Sequence, residues 1–160
     1  MVPALGQLAP EFTLPSDRGD ISLSAYRGKT NVLLAFYPGD FTPGCTSELA
    51  DFAADWQRFR DLNAEILGIS SDTVEKHREF SQSLGLPFPL LSDRRKEVIR
   101  AYGVNDLLVG CKRAYFLIDL QGKLRYRHIE ALPLFKRDDS ELLQELRKLK
   151  PVTLDPKLSS

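Results

Sequence analysis

Two cysteines, Cys45 and Cys111, and two histidines, His77 and His128, are the side chains of this 160-residue sequence best suited to thiol, metal or proton-transfer chemistry near neutral pH. Their wide spacing does not fit a structural zinc site, and two cysteines are too few for a disulfide scaffold. They make either one redox pair, or one reactive thiol and a bystander. A dithiol oxidoreductase would need Cys-x-x-Cys, but position 42 is Thr and position 48 is Glu. A cysteine hydrolase would need His77 or His128 as its base.

Cys45 has the more telling setting, Tyr37-Pro38-Gly39-Asp40-Phe41-Thr42-Pro43-Gly44-Cys45-Thr46-Ser47-Glu48. A strand ends here and a helix begins. Thr42 fits an N-cap and Pro43 the first helical position. Cys45 then falls in the first turn, close to unpaired backbone N–H groups, where an anion is favoured. A free thiol of pKa ~8.5 is only a few per cent thiolate at pH 7. Shifting such a thiol to ~6 takes about 3.4 kcal/mol. A helix terminus supplies ~0.3–1 kcal/mol, and ~2 in the best geometry. Asp40, Glu48 and Asp51 oppose the shift wherever they come close. A strongly activated thiol therefore needs a cation, such as an Arg reaching in from a neighbouring strand. The plain alternative for Cys45 is a small buried hydrophobe.

The elements that must position these residues alternate. Phe12 to Leu14 and Asp20 to Leu23 read as short strands around the turn Ser16-Asp17-Arg18-Gly19. Asn31 to Tyr37 and Glu65 to Ser70 are apolar runs of the kind buried on both sheet faces. Between them a helix is expected from Pro43 to Leu62, with Leu49, Phe52, Ala53, Trp56 and Phe59 on one face. Asp72, with Glu75 as a capping box, opens a helix that turns Val74, Phe80 and Leu84 inward and stops at Gly85. His77 is expected on its surface, and His128 at a strand end. Phe88 to Leu91 is a short strand candidate, and Arg94 to Tyr102 a helix ended by Gly103. Arg113 to Ile118 and Lys123 to His128 form a hairpin around Asp119-Leu120-Gln121-Gly122. Ser140 to Lys150 is the last helix. This order predicts an α/β fold, a mixed central sheet with helices on both faces. Residues 1–150 make one domain and 151–160 a surface tail.

Twenty-two basic residues balance twenty-two acidic ones, and no basic run stands out. That argues against a nucleic-acid partner. The first ten residues have no signal-peptide pattern, and the longest apolar run, Val32 to Tyr37, is too short to span a bilayer. The expectation is no membrane partner and a cytoplasmic, reducing location, where a thiol stays a thiol unless it is catalytic.

The segment around Cys45 resembles the peroxiredoxin signature, in which a Pro, three residues, a Thr and two residues precede the peroxidatic cysteine: here Pro38, Thr42 and Cys45. FYPGDFTPGCTSEL is most similar to the Q-type subgroup, the bacterioferritin comigratory proteins. GQLAPEFTL, GISSDTVEKHREF, LPFPLLSD and AYGV resemble further blocks of that family in order, and Arg113 falls where the family places its active-site arginine. The resemblance implies a thioredoxin-like fold and thiol-dependent reduction of a small hydroperoxide, with no metal or organic cofactor. Carried over by position, Cys45 attacks the peroxide and becomes sulfenic acid. Thr42 hydrogen-bonds the peroxide, Arg113 stabilises the charges, Pro38 shields the site, Glu48 orients Arg113, and backbone N–H groups near Gly44 polarise the substrate. Thioredoxin or another thiol is the implied reductant, and a monomer or small homodimer the implied assembly.

The sequence departs from that subgroup at Ala50, where many members carry a second, resolving cysteine. Cys111 is the only other thiol. Two residues before Arg113, it would share that residue's face of a strand. It is then a candidate resolving cysteine, against a one-cysteine cycle completed by an external thiol or an intermolecular disulfide. A non-enzymatic peroxide sensor, signalling through Cys45 sulfenic acid, is the other reading.

Overall fold

The computed structural model describes residues 2–130 and 139–149. In chain order its strands are β1 (Thr13–Ser16), β2 (Gly19–Ser22), β3 (Asn31–Phe36), β4 (Ala64–Ser70), β5 (Leu90–Ser92), β6 (Asn105–Asp106), β7 (Gly110–Cys111), β8 (Ala114–Ile118) and β9 (Leu124–Ile129). Its helices are α1 (Pro43–Ala54), α2 (Trp56–Asp61), α3 (Val74–Leu84), α4 (Glu97–Ala101) and α5 (Asp139–Lys148).

The two continuous apolar runs become the neighbouring strands β3 and β4, paired in parallel from Asn31 opposite Ala64 to Phe36 opposite Ile69. Every residue of β3 is buried, because both faces of the sheet are covered. β5 extends the sheet in parallel past β4, and the β1–β2 hairpin closes that edge. On the other side β8 runs antiparallel to β3, and β9 antiparallel to β8. The order β2-β1-β5-β4-β3-β8-β9 is a mixed seven-stranded sheet, as the alternation of elements predicts. One face, carrying Leu33, Ala35, Tyr37, Tyr115 and Leu117, packs under α1, α2, α3 and α5 through Leu49, Phe52, Phe59, Phe80 and Leu142. The other, carrying Val32, Leu34, Phe36 and Phe116, packs against Val98 and Ile99 of α4 and against Phe12 and Leu14. Among the described residues no helix is long and apolar enough to cross a membrane.

Several boundaries differ from the sequence pattern. The helix expected over Pro43 to Leu62 breaks at Asp55 (φ −97°, ψ 7°) into α1 and α2. Asp is a weak helix former, and its bonds here go back to Asp51 and Ala53. The cap of α3 is Thr73, whose hydroxyl accepts from the Lys76 N–H, rather than Asp72. Asp72 instead accepts the Asp40 N–H and the Ser70 hydroxyl. α4 starts at Glu97 rather than Arg94, because buried Asp93 turns back to accept the Ile99 N–H at 2.7 Å. The β6–β7 ribbon has no counterpart in the sequence pattern, since two-residue strands leave no period to read. Lys150 and the expected tail 151–160 lie outside the described residues.

Candidate active site

α1 opens where β3 and its extension Tyr37 end, so the loop 38–42 lies at the rim of the sheet. Thr42 takes the N-cap position and Pro43 the first helical position, as expected. The Thr42 side chain does not cap the helix, however. Its hydroxyl donates to the Gly39 carbonyl at 3.0 Å. The first-turn N–H groups of Gly44 and Cys45 are therefore not taken by this side chain. The preceding residue, Phe41, has φ 65°. For a bulky aromatic that left-handed conformation costs about 1–2 kcal/mol, so the surroundings must impose it.

Cys45 is fully buried. Arg113, at the entry to β8, reaches across the same face of the sheet and donates from Nη2 to Cys45 Sγ at 3.3 Å. Its Nη1 donates to Glu48 Oε1 at 2.6 Å. Glu48 stands one turn along α1 from Cys45, which places both on the helix flank facing β8. The other Glu48 oxygen accepts from the Tyr115 hydroxyl. Arg113, just before β8, and Tyr115, its second residue, thus meet on the same carboxylate. Burial works against the charge of Arg113, but Glu48 and then Cys45 outweigh it and raise its pKa. The result is a buried guanidinium held between a carboxylate and a sulfur. Gly44 lets it approach: a Cβ there would come 3.2 Å from Arg113 Nη2.

The sequence-derived residues Thr42, Gly44, Cys45, Glu48 and Arg113 are thus brought together, with half-buried Pro38 on the loop beside them. Cys111 is not. It belongs to β7, in the separate ribbon paired with β6. Its thiol packs in the apolar cluster on the opposite face of the main sheet from Cys45. The same-face expectation fails because β7 ends at Cys111 and β8 begins at Ala114, so strand alternation does not run through Lys112. Burial, followed by the negative charge of Asp93, pushes the Cys111 thiol pKa well up.

His77 also corrects the sequence reading. It is fully buried rather than on the surface, bonded through Nδ1 to Asp40 and through Nε2 to the Leu91 carbonyl. His128 lies near a strand end as expected, 3.3 Å from Glu130. Tyr115 and Tyr37 are polar residues of this region to which the sequence pattern gives no role, and Asp40 figures there only as a charge opposing the thiolate. Tyr115 is legible as the residue two after Arg113 in a strand.

Asp139, at the start of α5, lies close to the acids Glu48, Asp51 and Asp55. Burial pushes the Asp139 carboxyl up to about 8, helped by a hydrogen bond to Asp55 and by the charges of Asp55, Asp51 and Glu48. An unfolded Asp titrates near ~3.9. Between these values the folded chain holds a proton that the unfolded chain has lost, so this group makes stability fall as pH rises from about 4 to 8. Asp139→Asn keeps a donor for Asp55 without that proton. Thermal unfolding of the variant at pH 5, 7 and 9 should show a flatter decline. At pH 8 the gain is about 1–2 kcal/mol after allowing for solvent screening, or roughly 2–8 °C. An unchanged slope would refute the assignment.

Residues 5–127 match the AhpC/TSA family. "Peroxiredoxin Bcp" of Bacillus subtilis is 38% identical over 155 residues, spanning 91% of this chain and 96% of that one. "Peroxiredoxin Q, chloroplastic" of rice (Oryza sativa subsp. japonica) is 39% identical over 124 residues, 76% of this chain and 57% of the relative. Among solved structures, the peroxidoxin BcpB of Mycobacterium tuberculosis superposes with a TM-score of 0.83 at 31% identity, covering 92% of this chain and 98% of that one. The reduced 2-Cys peroxiredoxin of Plasmodium vivax gives 0.84 at 29% identity, covering 91% and 81%. The fold is thioredoxin-like, and its class is that of thiol-dependent peroxidases. The chain belongs to the AhpC/TSA family of peroxiredoxins, in the Q-type, Bcp-like subgroup.

Proposed function

We propose that Cys45 is the peroxidatic sulfur of this peroxidase, with Arg113 as its electrostatic partner. The observation that carries the reading is the Arg113 Nη2–Sγ contact of 3.3 Å, backed by Glu48 on the other arm of the guanidinium. The thiolate attacks the terminal oxygen of a hydroperoxide. A sulfur–oxygen bond forms, the oxygen–oxygen bond breaks, and the leaving oxygen takes a proton to become water or an alcohol. The product at Cys45 is sulfenic acid, formed in one two-electron step. Negative charge moves from sulfur to the leaving oxygen, and the fork of Arg113 serves both ends of that transfer. Thr42, its proton committed to Gly39, accepts from the peroxide O–H. Pro38 walls the site, and the N–H groups of Gly44 and Cys45 polarise the peroxide. Two external thiol groups then return the sulfenic acid to thiol, releasing water and a disulfide.

The external thiol is a thioredoxin or a thiol of similar reach, because Cys111 is buried on the far face with its proton held tightly. Attack by such a protonated thiol on a sulfenic acid is slow, since the thiolate is the nucleophile. The chain works as a monomer or small homodimer in a reducing compartment such as the cytoplasm. Peroxide loss with excess dithiothreitol tests the enzymatic reading: sustained loss supports it, and loss of one equivalent marks a sensor instead. Cys111→Ala is expected to keep turnover with external thiol within about twofold. A fall to a single turnover would make Cys111 the resolving cysteine.

A further inference from the structure

A second polar cluster holds the loop that leads from β3 to the helix of Cys45, and the chemistry above does not use it. The Tyr37 hydroxyl donates to Asp40 Oδ1 at 2.6 Å. His77 Nδ1 stands 2.6 Å from Asp40 Oδ2, and both side chains are fully buried. His77 Nε2 lies 2.9 Å from the Leu91 carbonyl, on β5. The Asp40 N–H donates to Asp72 Oδ2 at 2.6 Å. A carbonyl only accepts, so Nε2 carries a proton. A second proton lies between Nδ1 and Oδ2. The pair is then neutral as a whole, which is how two titratable groups tolerate full burial. Asp40, Asp72 and His77 bring three ligand-type atoms within 4.8 Å of one another, but each is engaged in these bonds, and a cation would have to break them.

Three of these four ties converge on Asp40, in the loop between β3 and α1, and the fourth anchors His77 to β5. Asp40 precedes Phe41, the residue held at φ 65°. The Phe41 ring, half exposed, packs on Phe80 of α3 with centroids 4.9 Å apart. Thr42 follows, its hydroxyl tied back to Gly39. The helix α3 thus touches the loop twice, through His77 and through Phe80. If Asp40 is released, only the Phe41–Phe80 contact and the Thr42–Gly39 bond are left of these ties to hold Phe41 in its left-handed conformation, and Thr42 turns with it.

We propose that Tyr37, Asp40 and His77 are positioning residues for the peroxidase reaction, a buried unit that clamps the loop 38–42 so that Thr42 meets the peroxide. The inference rests on Cys45 as the attacking sulfur. The unit acts on where the peroxide sits and not on the sulfur, which accepts from Arg113.

The test compares two reactions of Cys45 at one pH: oxidation by hydrogen peroxide and alkylation by iodoacetamide, with thermal midpoints alongside. His77→Ala and Asp40→Ala are expected to slow oxidation at least about tenfold while alkylation stays within about twofold. Asp40→Asn keeps every bond, since its amide N–H donates to His77 Nδ1 and its oxygen still accepts from Tyr37. It is expected to oxidise within about threefold of the unaltered chain. Tyr37→Phe removes one hydroxyl, remains folded, and should slow oxidation about two- to fivefold. The proposal is overturned if His77→Ala and Asp40→Ala oxidise normally. It is overturned too if alkylation falls in step with oxidation, or if Asp40→Asn is as slow as Asp40→Ala. Should the alanine variants fail to fold, Tyr37→Phe and Asp40→Asn decide alone, and normal oxidation by Tyr37→Phe overturns it. Peptide mass mapping of the unaltered chain after oxidation separates the two readings: oxygen on a residue other than Cys45 sinks the site assignment, whatever the variants do.

Discussion

The Cys45→Ser chain is expected to consume hydroperoxide no faster than buffer and reductant alone. A serine hydroxyl holds its proton far more tightly than a thiol and cannot be oxidised by two electrons through addition of oxygen. The loss should therefore be complete, not partial. The variant should remain folded. Cys45 lies against Leu49 and other apolar side chains of its cluster, and replacing sulfur by a buried hydroxyl costs about 1–3 kcal/mol when unpaired. Here the hydroxyl inherits the Arg113 donor, which reduces that cost. A folded Cys45→Ser protein that still reduces peroxide would remove the basis of the mechanism.

Arg113→Met should lower the rate of Cys45 oxidation by about 10²–10³-fold, the usual effect of removing a donor aimed at developing charge. The change also strips Glu48 of its partner. A buried carboxylate left alone costs about 3–5 kcal/mol, so the single variant confounds catalysis with stability. The double variant Arg113→Met with Glu48→Gln separates them. The amide that replaces the Glu48 carboxylate is neutral and still accepts from Tyr115, so stability should return towards that of the unaltered chain while the oxidation rate stays low. Arg113→Lys should not rescue the rate either, because an ammonium cannot reach both Glu48 and the sulfur in the fork geometry of a guanidinium. Recovery of the rate in the double variant would show that Arg113 acts only through the fold.

Where the sequence pattern is continuous, it is readable. The apolar runs of β3 and β4 have one structural solution, a parallel pair covered on both faces, and they place the start of α1 at the sheet rim. The Cys45 site is legible because its residues cluster within one segment, and Arg113 because its block resembles a family pattern. His77 shows the limit. Its spacing from Val74, Phe80 and Leu84 puts it on the inward face of α3, yet its polar type suggests the surface. The partner that makes burial tolerable, Asp40, lies 37 residues upstream, beyond any local pattern. Cys111 shows a second limit. Counting by two from Arg113 assumes an unbroken strand, and the chain turns at Lys112 to form a ribbon too short to carry a period. Thr42 follows the sequence expectation in position but not in bonding: its hydroxyl donates to the Gly39 carbonyl and accepts no N–H of the helix.

The most direct measurement of the central claim is mass analysis of the reduced chain after one equivalent of hydrogen peroxide, intact and then by peptide. The account predicts a gain of one oxygen, trapped by a sulfenic acid reagent on the peptide that carries Cys45, with Cys111 unmodified. A loss of two hydrogens with Cys45 joined to Cys111, or oxygen on any other residue, would contradict it.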